Sequence, residues 1–143
     1  MTGLFLEKLL GRPVYKISQN APLSDVVERL ASFNIGALPV VDDSENLTGI
    51  ISERDLVKAF YAFQTQEFLK LSVKKIMTRD VVRCDKSVRS EELMSLMTTK
   101  KIRHIPIVNG DTLIGIVSIG DVVKRLLEKY KDETEHLRQY IHS

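Results

Sequence analysis

Two stretches of the chain set a serine three residues ahead of an aspartate, where an apolar run gives way to a helical pattern. They read Gly49, Ile50, Ile51, Ser52, Glu53, Arg54, Asp55 and Gly115, Ile116, Val117, Ser118, Ile119, Gly120, Asp121. A serine at a helix N-cap leaves a first turn of free backbone N–H groups, which is a cradle for an anion. The acid three residues on can accept two hydrogen bonds from a vicinal diol such as a ribose, so serine and aspartate together suit a nucleotide. The same Ser-x-x-Asp spacing is also a capping arrangement that serves the helix alone. On the motif by itself both readings stand. Arg54 adds charge beside the first corner, and Gly120 admits close backbone approach at the second.

The elements that must position these corners come as an internal repeat. Ile35, Gly36, Ala37, Leu38, Pro39, Val40, Val41 returns as Ile102, Arg103, His104, Ile105, Pro106, Ile107, Val108, and each run is followed by a polar turn and then by one of the corner stretches. Ahead of each lies an apolar stripe at helical spacing, Val26, Val27, Leu30, Ile35 in one copy and Leu93, Met94, Met97, Ile102 in the other. Each copy therefore reads as helix, strand, hairpin turn, strand, helix. The turns are Asp42 to Asn46 and the tighter Asn109, Gly110, Asp111.

A shorter preamble precedes each copy, Val14 to Ile17 and Val81 to Cys84, and predicts a lead-in strand; Lys16 and Arg83 stand at matched places in it and are further phosphate candidates. The joining segment from Phe60 to Met77 has no Gly or Pro and predicts packed helix. Beyond Asp121, residues Val123, Leu126, Leu127, Tyr130, Thr134, Leu137 and Ile141 form a near-heptad stripe among charges. That is a helix of about five or six turns, longer than the globular norm. Its far half either protrudes and pairs with a second copy or folds back on its own module.

Composition narrows the partners. The chain has 143 residues, 43% hydrophobic and 28% charged, the balance of a packed globular protein. Its net charge of +2 is the remainder of 21 basic and 19 acidic side chains, too even for a dedicated nucleic-acid or membrane surface. The single cysteine, Cys84, and the absence of a cationic-then-apolar leader point to a reducing cytoplasm. Cys84 lacks a second thiol or a nearby histidine at metal spacing, Met94 and Met97 read as core, and no metal set or nucleophile-base pair stands out.

The duplicated set, an apolar-x-x-apolar-Pro-apolar-Val strand followed by Gly-apolar-apolar-Ser-x-x-Asp, resembles tandem cystathionine-beta-synthase-type (CBS) domains, the pairs called Bateman modules. Val73, Lys74, Lys75, Ile76, Met77, Thr78 is similar to the opening phrase of such a domain, and the resemblance covers nearly all of residues 1 to 130. It implies an α/β (α+β) fold in which two repeats related by a pseudo-twofold axis pack small sheets flanked by helices and leave two clefts. The expected boundaries are 1–70 for the first repeat, 71–130 for the second and 131–143 for a C-terminal helix extension.

In this family the clefts commonly bind AMP, ADP, ATP, S-adenosylmethionine or NAD, with the motif aspartate on the ribose and the motif Ser/Thr near the phosphate. The resemblance assigns those roles to Asp55 and Asp121 and to Ser52 and Ser118. In nucleotide-sensing members a His-Arg pair before the strand proline reaches phosphates. Here Arg103 and His104 hold that place in swapped order, where copy one has Gly36 and Ala37. Arg103 would make a bidentate contact, and His104 a donor whose charge varies near neutral pH. The expectation is a non-catalytic regulatory module that senses adenine nucleotides, AMP foremost, acting as a homodimer through an effector protein. Its rivals are a ligand-free dimerisation unit, a nucleic-acid binder using the basic tail, and an enzyme hydrolysing the nucleotide.

Overall fold

The computed structural model describes residues 4–142, and the repeat is visible in its element order. Helix α1 (Leu4–Leu10) precedes the first copy, which consists of strand β1 (Ile17–Ser18), helix α2 (Leu23–Phe33), strands β2 (Ala37–Val41) and β3 (Leu47–Ser52), and helix α3 (Glu53–Phe63). A 3-10 turn (Gln66–Lys70) and the short helix α4 (Val73–Ile76) lead to the second copy. It holds α5 (Ser90–Lys100), β4 (His104–Asn109), β5 (Thr112–Ser118) and the 24-residue helix α6 (Ile119–His142).

The strands pair as the repeat requires. β2 and β3 are antiparallel, with Ala37 opposite Ser52 and Pro39 opposite Ile50; β4 and β5 match them with His104 opposite Ser118 and Pro106 opposite Ile116. Both ladders shift register at the same place, between Val40 and Val41 and between Ile107 and Val108. The two hairpins meet at their turns, where the Leu47 N–H donates to the Asp111 carbonyl (2.9 Å) and the Leu113 N–H to the Glu45 carbonyl (3.2 Å). Helices α2 and α5 end on left-handed residues, Asn34 and Lys101, both at φ 55°. Asn tolerates that conformation better than Lys.

Each copy buries its own core, Val26, Leu30, Leu38, Val40 and Ile51 in the first and Leu93, Met97, Ile105, Ile107 and Val117 in the second. Val41, Leu47, Val108 and Leu113 form a third cluster between them. The lead-in helices are exchanged. Leu6 of α1 is buried in the second core, while Val73 and Met77, at the start of the second repeat, are buried in the first. Two glycines let this happen: a Cβ at Gly49 would lie 2.9 Å from the Thr78 carbonyl oxygen, and one at Gly115 would lie 2.6 Å from Leu10 Cδ2.

Two expectations are corrected, and one open choice is decided. The first lead-in strand is only Ile17–Ser18, parallel to β2, because the Lys16 carbonyl is taken by the Arg29 guanidinium; in the second preamble only Cys84 bridges, to Ile107. The segment Phe60 to Met77 is packed, with Phe68, Val73 and Met77 buried, but it is not continuous helix. It breaks at Gln64 (φ 55°) and turns back so that α4 can reach β3. Of the two readings of α6, protrusion is the one realised: Tyr130, Leu137 and Ile141 are 60–70% exposed, and the helix is held to its module by Val122 in its first turn and by a Lys129–Glu91 ion pair to α5 near its middle.

Candidate functional site

Strands β3 and β5 alternate buried and half-buried residues and deliver Ser52 and Ser118 to the sheet edge, where the chain turns into α3 and α6. Both corners form the reciprocal cap. At the first, the Ser52 N–H and hydroxyl donate to Asp55 Oδ2 (2.9 and 3.2 Å) and the Asp55 N–H donates to Ser52 Oγ (3.3 Å). At the second, the Ser118 N–H and hydroxyl donate to Asp121 Oδ2 (2.9 and 3.0 Å) and the Asp121 N–H donates to Ser118 Oγ (3.2 Å). The capping reading is therefore realised at both. It consumes one carboxylate oxygen in part and leaves Oδ1 to other partners, since an ionised carboxylate has about four acceptor sites.

At the second corner that partner is Arg12, from the turn after α1. Its two terminal nitrogens reach Asp121 Oδ1 and Oδ2, each at 3.1 Å, a fork-on-fork pair between residues 109 apart in sequence. Burial pushes the Asp121 carboxyl up, but the Arg12 guanidinium and the Ser118 hydrogen bonds outweigh it and hold the group below its ordinary value. Asp121 stays charged at neutral pH.

This corner borders a cavity of about 290 Å³ between the copies. Arg12 and Tyr15 line it from the lead-in segment, Ala37 from the mouth of β2, and His104, Ser118 and Asp121 from the second copy. The register explains the grouping, because His104 stands directly across the ladder from Ser118. Burial lowers the His104 pKa from its usual value; the charge of Asp121 pulls it back up, Arg103 lowers it and Glu53 raises it. A neutral imidazole is favoured, facing a charged carboxylate. Tyr15 stacks on Phe33 (centroids 4.1 Å apart), giving the mouth an aromatic wall.

Of the residues singled out from sequence, Ser118, Asp121 and His104 line this cavity; Ser52, Arg54, Asp55, Arg103, Gly120, Lys16 and Arg83 do not. Arg103 is exposed, with its carbonyl accepting the Ile119 N–H at 2.8 Å. Lys16 pairs with Glu45 at the β2–β3 turn. Arg54 and Arg83 are exposed. A Cβ at Gly120 would make only ordinary contact with Ser118 Oγ (3.6 Å), so packing does not demand glycine there. Sequence reasoning missed Arg12. The signal was available, because Arg12 and Arg79 each stand four residues ahead of the matched Lys16 and Arg83.

Among the described residues no group of three or more His, Cys, Asp or Glu could hold a metal ion, and no helix is long and apolar enough to cross a membrane.

A pair of repeats, exchanged lead-in helices and a Ser-x-x-Asp corner on the cleft between them define a tandem CBS module, and the CBS domain family model matches residues 6–62 and 73–128. The chain belongs to the CBS domain family. It is 36% identical over 121 residues to the CBS domain-containing protein CBSX3, mitochondrial, of Arabidopsis thaliana, covering 82% of this chain and 58% of that protein. It is 33% identical to the inosine-5'-monophosphate dehydrogenase of Methanocaldococcus jannaschii, matching 83% of this chain but 23% of the enzyme. The chain thus spans about three fifths and about a quarter of these two relatives.

Among solved structures, a CBS-domain containing protein of Agrobacterium tumefaciens superposes with a TM-score of 0.74 at 39% identity, covering 84% of this chain and 88% of that one. CBSX2 in complex with AMP gives 0.72 at 27%, covering 82% and 90%. A CBS domain pair in complex with 5'-methylthioadenosine and S-adenosyl-L-methionine gives 0.75 at 26%, covering 90% and 99%.

Proposed function

We propose that this CBS pair is a non-catalytic regulatory module that binds an adenine nucleotide, AMP first, in the cleft at Asp121, and signals by changing how its halves or its dimer pack. The observation that carries the reading is the charged Ser118–Asp121 corner opening on a cavity between the copies, with His104 across the ladder. The ribose diol takes the Asp121 carboxylate in place of Arg12, and His104 meets the phosphate. Two relatives in the same fold support an adenosine ligand, one with AMP and one with S-adenosyl-L-methionine and 5'-methylthioadenosine. The second of these favours S-adenosylmethionine as the alternative, with ATP, ADP and NAD behind it.

The working division is 1–70 and 71–130 for the repeats and 131–143 for the extension of α6. A homodimer is supported by exposed apolar residues on α2 and α3 (Val27, Phe33, Val57, Phe60, Tyr61) and along α6 (Leu127, Leu137, Ile141). Output passes to an effector protein. The match to the dehydrogenase, confined to a quarter of that enzyme, supports a regulatory part and not a catalytic one. The cytoplasm is the proposed compartment, on the single, half-buried Cys84 thiol.

Thermal shift with AMP, ATP, NAD and S-adenosylmethionine tests the proposal. The true ligand at a hundred times its dissociation constant adds about 2.7 kcal/mol to stability. No shift with any of the four returns the module to a structural dimerisation unit.

A further inference from the structure

Helix α6 carries a regular heptad. Leu127, Thr134 and Ile141 recur seven apart, as do Val123, Tyr130 and Leu137, and the two rows are the a and d positions of one seam. Its five apolar members are 40–70% exposed. Thr134 donates its hydroxyl to the Tyr130 carbonyl (2.9 Å), so covering it leaves that group satisfied. A helix in water draws most of its stability from a packed face, and along the protruding turns this face is open.

The residues flanking the seam choose its occupant. Position e is a cation each time, Lys124, Lys131 and Arg138, and position g holds Leu126, Glu133 and Tyr140. In a parallel, in-register pair each g side chain meets the e side chain five residues on in the other helix. Glu133 then meets Arg138 of the second copy, twice by symmetry, and Leu126 lies along the aliphatic stem of the second copy's Lys131. Among the described residues, neither Glu133 nor Arg138 has an ion pair within its own chain. An antiparallel pair instead sets like against like: Lys131 against Lys131, Lys124 against Arg138 and Glu133 against Glu133. The seam agrees, since β-branched Thr134 and Ile141 at a with Leu137 at d is the pattern of two parallel strands. We infer that α6 pairs with α6 of a second copy as a parallel, in-register coiled coil across residues 123–141, which sets the two second repeats side by side. The pairing rests on the homodimer of the proposed function, for which it supplies surface and direction, and is independent of the ligand.

Sedimentation equilibrium of the full chain tests it, with substitutions at exposed positions of α6 so that no core is lost. Glu133→Arg is expected to weaken the wild-type dimer about tenfold, since two pairs become two repulsions, and Glu133→Arg/Arg138→Glu to restore it to within about twofold. Leu137→Glu, which puts two carboxylates in the seam, is expected to weaken it at least about a hundredfold, while Gln139→Glu on the outer face changes it by less than about twofold. Direction is read by oxidising Ile141→Cys in a Cys84→Ala chain: the parallel pair closes a disulfide between the two 141 positions, whereas an antiparallel pair holds them roughly 27 Å apart. A wild-type monomer overturns the coiled coil and the homodimer together. A dimer indifferent to Leu137→Glu keeps the homodimer and overturns the coiled coil, moving the interface to α2 and α3. A dimer that Leu137→Glu breaks, but that forms no such disulfide or is not restored by the charge exchange, overturns the parallel register.

Discussion

The corners at Ser52–Asp55 and Ser118–Asp121 carry the same reciprocal cap, their matched hydrogen bonds agreeing closely at 2.9–3.3 Å. What differs is what lies above them. Over Asp121 the lead-in segment delivers Arg12 in a two-pronged pair and the opposing strand delivers His104. The repeat equivalent of Arg12 is Arg79, whose guanidinium donates to the Lys74 carbonyl (2.9 Å) instead, and the residue across from Ser52 is Ala37. Duplication preserved the helix cap because each helix needs one. It did not preserve the surroundings, and a ligand reads the surroundings.

The largest expected effect concerns the glycines that admit the exchanged lead-in helices. Gly49→Ala drives a methyl against the Thr78 backbone carbonyl and Met77, whereas Gly115→Ala meets only the tip of the Leu10 side chain. Overpacking costs typically 1–3 kcal/mol, so Gly49→Ala is expected to lose about 3 kcal/mol in urea unfolding and Gly115→Ala about 1. Equal losses would mean that the two halves accept their partner helices with the same rigidity.

Next is the pair of aspartates. Asp121→Ala is expected to weaken AMP binding by about 1.5–3 kcal/mol, roughly ten- to a hundredfold, and Asp55→Ala by less than about twofold. Each variant loses the aspartate half of one reciprocal cap, and Asp121→Ala also loses the Arg12 pair, about 0–1 kcal/mol, so a melting curve for each variant separates stability from ligand binding. Equal weakening would make the two clefts equivalent and erase the difference drawn above.

The smallest effect is at Arg12. Its pair with Asp121 is partly exposed, 49% on the arginine side, and such pairs contribute about 0–1 kcal/mol. Arg12→Ala frees the carboxylate for a diol, so unphosphorylated adenosine is expected to bind up to about fivefold tighter by the same calorimetry. Weaker adenosine binding would mean that Arg12 supports the ribose and does not compete with it.

The repeat, the hairpins and both Ser-x-x-Asp corners were legible because each rests on local chemistry: strand alternation, turn residues and a cap three residues long. The lead-in strands were overread, since Val14 and Val81 are apolar for the sake of the cluster between the copies and not for a ladder. The break at Gln64 was invisible because no Gly or Pro marks a left-handed residue there. The exchange of α1 and α4 could not be read from either segment, since its signature is an empty Cβ position on the other copy's strand. The Arg12 pair spans 109 residues, and only the full repeat alignment could have pointed to it.

The central claim is that the Asp121 corner, and not the cap as such, makes the ligand site. A crystal structure of the chain with AMP tests it most directly. The account predicts ribose hydroxyls within hydrogen-bond distance of Asp121, phosphate beside His104 and the Arg12 guanidinium released from the carboxylate. AMP seated elsewhere, with Arg12 still paired to Asp121, would contradict it.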